Sequence, residues 1–178
     1  MKYFVTLLLV SLFVFGASLT AQTVLDDQAF VNGQITGPGV YQVESGKVYF
    51  FDGNLDISWN VTIEGPDVDW IRNAEGPPVL VNIPDSEGAA QRFMTILAGG
   101  SLTLKNMIIS GRASNDAVTG DIVLSVDDGG DAFTSDNVAF VDFINRAFYT
   151  RGNDIDIRMT NCFFINAQDL GYSPWGGD

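Results

Sequence analysis

The 178-residue chain contains no histidine and one cysteine. Without histidine it can form no Ser-His-Asp triad, no Cys-His pair and no histidine-ligated zinc site. A single cysteine allows no internal disulfide. Basic residues are also scarce: 9 Lys+Arg stand against 22 Asp+Glu, a formal net charge of −13. Such a surface repels nucleic acid and anionic membrane.

What is present starts with an apolar leader. "MKYFVTLLLVSLFVFGASLTAQ" has a basic Lys2, an apolar run from Phe4 to Phe15 and small residues before Gln22. Residues 1–21 read as a secretory signal peptide, too short and wrongly flanked for a spanning helix. The expected product is secreted or held at the cell surface, with no membrane association once mature. Losing Lys2 leaves 8 basic against 22 acidic residues, or −14, in 178 − 21 = 157 residues. That length suits one domain, 22–178, with a real core.

Four segments share one design: "NLDISWNVTIEG" (54–65), "GSLTLKNMIISG" (100–111), "DAFTSDNVAFVD" (131–142) and "NDIDIRMTNCFFIN" (153–166). Each is a short alternating run, an Asn, then a second alternating run. The Asn positions are 60, 106, 137 and 161, giving steps of 46, 31 and 24. Positions +1 and +3 after each Asn are apolar: Val61/Ile63, Met107/Ile109, Val138/Phe140 and Cys162/Phe164. Position +2 shows no constraint. A period of two predicts strands with one face inward. Cys162 is therefore expected in the core, its thiol kept inert by apolar burial.

Turns rich in Gly, Asn and Asp precede these segments: "FDGN", "AGG", "DDGGD" and "RGND". Before the turns lie "KVYFF", "RFMTIL", "DIVLSV" and "RAFYT". The unit is strand, turn, strand, Asn corner, strand. No single unit buries its own apolar face, so the units must stack. Asn tolerates the left-handed backbone of a corner, and its amide can bond to the same Asn one unit away. An antiparallel sandwich also offers many short strands but predicts no aligned corner residue.

"SLTLKNMIISG" and "MTNCFFINA" resemble coils of the right-handed parallel β-helix proteins of the pectate-lyase-like superfamily, which includes chondroitinase-B-like polysaccharide lyases. The resemblance spans about Gly46 to Ala167. It implies an all-β, right-handed parallel β-helix (solenoid) of about four coils. It implies further that calcium can be held by Asp or Glu, and that Arg or Lys can act as catalytic base or acid. No diagnostic catalytic motif of a lyase family is present.

Residues 23–43, with Gly-Pro-Gly at 37–39, are expected to cap the first coil. Residues 66–91 form a long excursion containing the strand-like "PVLVNI", and 112–121 a shorter loop. After Asn166 only "AQDLGYSPWGGD" follows, with neither a strand pattern nor an amphipathic helix. The chain is thus expected to be the front part of a longer solenoid, incomplete at its C-terminus and prone to self-association through its open edge.

Asp127, Asp128 and Asp131 lie within one turn and are the candidate calcium ligands. A solvated acidic turn is the plainer alternative. Lys105, Arg146, Tyr149 and Arg151 are the candidate catalytic residues. In a lyase an Arg fork neutralises a uronate carboxylate while a base removes the proton alpha to it. With histidine absent, Lys, Arg and Tyr are the bases left. The plainer role for Arg151 is a surface salt bridge to Asp127 or Asp128. Arg112 and Trp175 are candidate substrate contacts. Trp59, Trp70 and Tyr172 also offer ring faces on which sugars stack, or on which loops pack. The function expected is a secreted carbohydrate-active protein, a lyase on uronate-containing polysaccharide; the alternative is a non-catalytic glycan-binding or scaffold module.

Overall fold

The computed structural model describes residues 22–67, 74–126, 131–151, 154–167 and 172–174. The elements in chain order are β1 (Gln22–Val24), α1 (Val31–Gln34), β2 (Gly39–Gln42), β3 (Val48–Asp52), β4 (Leu55–Ile57), β5 (Asn60–Glu64), β6 (Val79–Ile83), β7 (Met94–Ile96), β8 (Ser101–Ser110), β9 (Asp121–Ser125), β10 (Ala132–Phe143), β11 (Arg146–Thr150), β12 (Asp156–Thr160), β13 (Phe163–Ala167) and β14 (Tyr172–Pro174). All pairing between these strands is parallel. A larger sheet runs β1-β2-β5-β8-β10-β12, with β3, β6 and β13 attached, and a smaller one runs β14-β11-β9-β7-β4. The chain alternates between the sheets, and each return lays a strand beside its earlier counterpart. The molecule is all-β with parallel sheets.

The long strands contain the corner that the sequence suggests. In β8 the buried residues are Leu102 and Leu104, then Met107 and Ile109. The buried parity flips from even to odd across Lys105-Asn106. Asn106 makes the flip with φ +56°, and Asn137 and Asn161 repeat it at +55° and +51°. Asn137 Nδ2 donates to Asn106 Oδ1 at 3.0 Å, and Asn106 Nδ2 to the Gly65 carbonyl at 3.1 Å. An internal bond of this kind satisfies amides that would otherwise be costly to desolvate.

Asn60 does not belong to this series. Val61 pairs with Leu102 and Glu64 with Lys105, so position 65 opposes Asn106. Gly65 occupies it because a Cβ there would lie 2.3 Å from the Asn106 carbonyl oxygen. "KVYFF" is also displaced. It forms β3, which pairs with β6 in the larger sheet, while β4 pairs with β7. Within the expected cap, Gly39–Gln42 is a full member of the sheet, paired with β5. Thr23 and Val24 of the same segment belong to β1, which pairs with β2, and Leu25, Val31 and Ile35 are buried beyond it. The Asn32 side chain closes over β3, accepting from the Asp52 N–H at 3.2 Å and donating to its carbonyl.

Like residues stack on like. Tyr49, Leu80, Ile109, Phe140 and Phe164 follow one another in register. Leu55, Met94, Val123 and Phe148 do the same in the smaller sheet. Phe133 of β10 stacks on Phe148 of β11 at 4.4 Å between centroids, joining the sheets across the core. Burying each such ring contributes roughly 1.5–3 kcal/mol.

The last layer is different. Cys162, expected in the core, is only half-buried, with Sγ 3.2 Å from Ser135 Oγ. Phe163 and Ile165 are 54% and 47% exposed. They end two outward ladders, Val48-Val79-Ile108-Ala139-Phe163 and Phe50-Val81-Ser110-Val141-Ile165. Position +2, which looked unconstrained, is apolar and outward at Ile108 and Phe163, while Ala139 between them is 4% exposed.

Candidate functional site

Three of the expected catalytic residues come together on the smaller sheet. In β11 Ala147, Phe148 and Thr150 are buried, while Arg146 and Tyr149 are only half-buried. The Arg146 guanidinium lies 4.2 Å from the Tyr149 ring centroid, and that of Arg151 5.7 Å. Both distances fall within cation–π range. Register sets Arg146 beside Asp121 of β9, and Arg146 Nη1 lies 3.7 Å from Asp121 Oδ1. Arg92 reaches the same carboxylate from one layer earlier, Nη2 to Oδ2 at 3.8 Å. One carboxylate thus faces two guanidiniums, with a third close by on the tyrosine. Both ion pairs are longer than direct hydrogen bonds. Arg92 Nε and Asp121 Oδ1 are buried without a hydrogen-bond partner.

Lys105, the fourth candidate, sits on the larger sheet. It is half-exposed and lies 4.0 Å from Glu64, with Asp136 beside it in register on the other side. These residues line a groove of about 590 Å³ with Gln42, Gly65, Asn106 and Asn137. A neighbouring groove of about 730 Å³ shares Gln42, Glu64, Gly65 and Pro66 with it and adds Glu44, Lys47 and Glu75. Lys47 is held by Asp27 at 3.1 Å. That hydrogen bond holds the Asp27 carboxyl below its ordinary pKa and raises the Lys47 ammonium. Behind the groove, the buried Tyr49 hydroxyl accepts the Glu44 N–H at 2.8 Å, and burial pushes its pKa up.

Arg112 lies beside Asp142 and Asp116, each at 3.5 Å, in the loop after β8. Trp175, Trp70, Asp127 and Asp128 fall outside the described residues. Asp131 is 2% exposed, and its carboxylate accepts from the Gly99 N–H at 2.9 Å and the Ser125 hydroxyl at 3.1 Å. It pins the turn before β8 to the strand β9. Calcium asks for several oxygen donors. Of the three candidate ligands only Asp131 is described, and both its oxygens are already engaged. Among the described residues no group of three or more potential ligands is gathered for a metal. Trp59 packs against the core.

The sequence alone singles out neither Arg92 nor Asp121 as part of this cluster. Both were visible in one respect. "RFMTIL", "DIVLSV" and "RAFYT" open with Arg92, Asp121 and Arg146, and stacking brings these first residues together. Comparison with protein-family models and with curated proteins finds no match to this chain.

Proposed function

We propose that the chain is an exported, right-handed parallel β-helix of the pectate-lyase-like kind that binds an acidic polysaccharide on its smaller sheet. Right-handedness follows from the chirality of crossovers between parallel strands, right-handed in about 98% of cases. Corner asparagines at three successive layers support the coil. The observation that carries the ligand is Tyr149 between Arg146 and Arg151. Both guanidiniums lie within cation–π range of the ring, and Arg151, together with Arg146 on the N–H groups that do not face Asp121, can fork a uronate carboxylate. In a chain of −13 this local surplus of cations is the place where an acidic glycan meets attraction.

If the bound glycan is also cleaved, the reaction is β-elimination. A base takes the proton alpha to the carboxylate, the electron pair forms a carbon–carbon double bond, and the glycosidic oxygen leaves with a proton. Arg146 and Arg151 neutralise the carboxylate, and the Tyr149 hydroxyl is the group in the cluster able to move a proton. The placement of Lys105 on the other sheet favours the second reading, binding without cleavage. The reading uses no metal.

The test is calorimetric titration with oligogalacturonates, followed by an ultraviolet assay for unsaturated ends. Binding that is lost in Arg146→Ala and weakened in Arg151→Ala is expected. Unsaturated ends that vanish in Tyr149→Phe would make the chain a lyase; binding with no such ends makes it a module. Absence of binding overturns both.

A further inference from the structure

A corner groove runs along the larger sheet, away from the arginine cluster. Its floor is one outward position repeated in successive layers: Gln42, Glu64, Lys105 and Asp136 pair in sequence through β2, β5, β8 and β10. The corner amides of Asn106, Asn137 and Asn161 run alongside. Each layer therefore offers a floor side chain that donates or accepts hydrogen bonds, one strand spacing, about 4.8 Å, after the last. That spacing is close to the length of one pyranose in an extended chain.

We propose that this groove binds a linear, uncharged, hydroxyl-rich glycan lying along the stack, about one sugar per layer. Glu64, the Asp136 oxygen that does not accept from Asn161, and the Gln42 amide can accept from or donate to sugar hydroxyls, the corner amides adding only what their ladder bonds leave, and Lys105 donates from between Glu64 and Asp136. Three features exclude an acidic chain here. Glu44, Glu64, Glu75, Asp67 and Asp136 outnumber Lys47 and Lys105 on the lining. Lys47 is already bound to Asp27, and Lys105 faces a carboxylate on each side in register. The volume, about 730 Å³ and 590 Å³ for two overlapping stretches, is in the range of small-ligand clefts. The site differs in place and ligand from the arginine cluster, so either can fail alone.

The whole chain is titrated with neutral β-linked hexose hexamers, with an oligogalacturonate and with a glucosamine hexamer. The neutral hexamer is expected to bind, and Asp136→Ala or Glu64→Ala to weaken it about tenfold or more, as expected for lost hydrogen bonds to charged groups. Arg146→Ala is expected to leave that binding unchanged while abolishing binding of the oligogalacturonate. Asp136→Asn, which keeps the shape and a polar side chain, is expected to fall between wild type and Asp136→Ala, separating recognition from misfolding. Three results overturn the proposal. One is no neutral binding at millimolar ligand. Another is binding insensitive to both positions. The third is binding confined to the glucosamine hexamer and lost in salt, which would mean plain charge attraction.

Discussion

A single asparagine shows how much one residue does here. Asn137 holds φ +55° and donates its amide to Asn106. Asn137→Ala loses both the tolerance of that backbone and the ladder bond, and is expected to cost about 2–3 kcal/mol by chemical denaturation. Asn137→Gly keeps the backbone and loses only the bond, about 1 kcal/mol; equal losses would remove the backbone half of the argument. Tyr49 makes a prediction about pH. Its folded pKa is raised by burial, so the folded state keeps the phenol proton that the unfolded chain gives up. Its contribution is complete below the unfolded value of about 10 and is lost as pH rises through the folded value. Wild type should therefore lose stability in alkali more steeply than Tyr49→Phe. Parallel melting curves between pH 8 and pH 11 would contradict this, a window chosen around the ordinary tyrosine value of about 10.

At the level of strands, burial separates positions that look alike in sequence. Phe140 and Phe163 both lie in alternating apolar runs, yet Phe140 is fully buried and Phe163 half-exposed. Phe140→Ala should cost about 3–5 kcal/mol, and Phe163→Ala less than about 1 kcal/mol. The corners at Asn106, Asn137 and Asn161 were legible because a left-handed corner favours Asn and flips the apolar parity around it. Asn60 misled because its own layer solves the corner five residues later with Gly65, and alternation continues unbroken through the true register. The apolar outer ladders were hidden for another reason. Where both faces of a strand are apolar, as in "NMIIS" and "NCFFIN", a period of two no longer tells inside from outside. The arginine cluster depends on register across 92, 121 and 146. Irregular steps of 46, 31 and 24 conceal that register until the strands are paired.

The whole molecule sets a strong negative charge against an apolar outer face that includes Val48, Phe163 and Ile165. At low salt, repulsion keeps copies apart; screening shortens its reach to about 8 Å at physiological ionic strength. Light scattering should therefore show association growing with salt, and Phe163→Lys with Ile165→Lys should suppress it. Association that weakens with salt would assign it to charge instead. The corner bonds also bear on kinetics. They span 41 residues from Gly65 to Asn106, 31 from Asn106 to Asn137, 25 from Asp136 to Asn161 and 24 from Asp142 to Asn166. Closing the shortest of these loops costs about 0.5 kcal/mol less entropy than closing the longest. β10 also pairs on both sides, with nine registered positions toward β8 alone. Short closure toward β12 and β13 and long registered pairing toward β8 both centre on β10, so the transition state for folding is expected to form around β10 and its neighbours, with the earlier layers docking afterwards. Trimming Ile109 or Phe133 should slow folding, whereas trimming Leu55 or Ile57 should chiefly hasten unfolding. The chain is made from the N-terminus, so its first layers are expected to settle only once residues synthesised later have formed that nucleus.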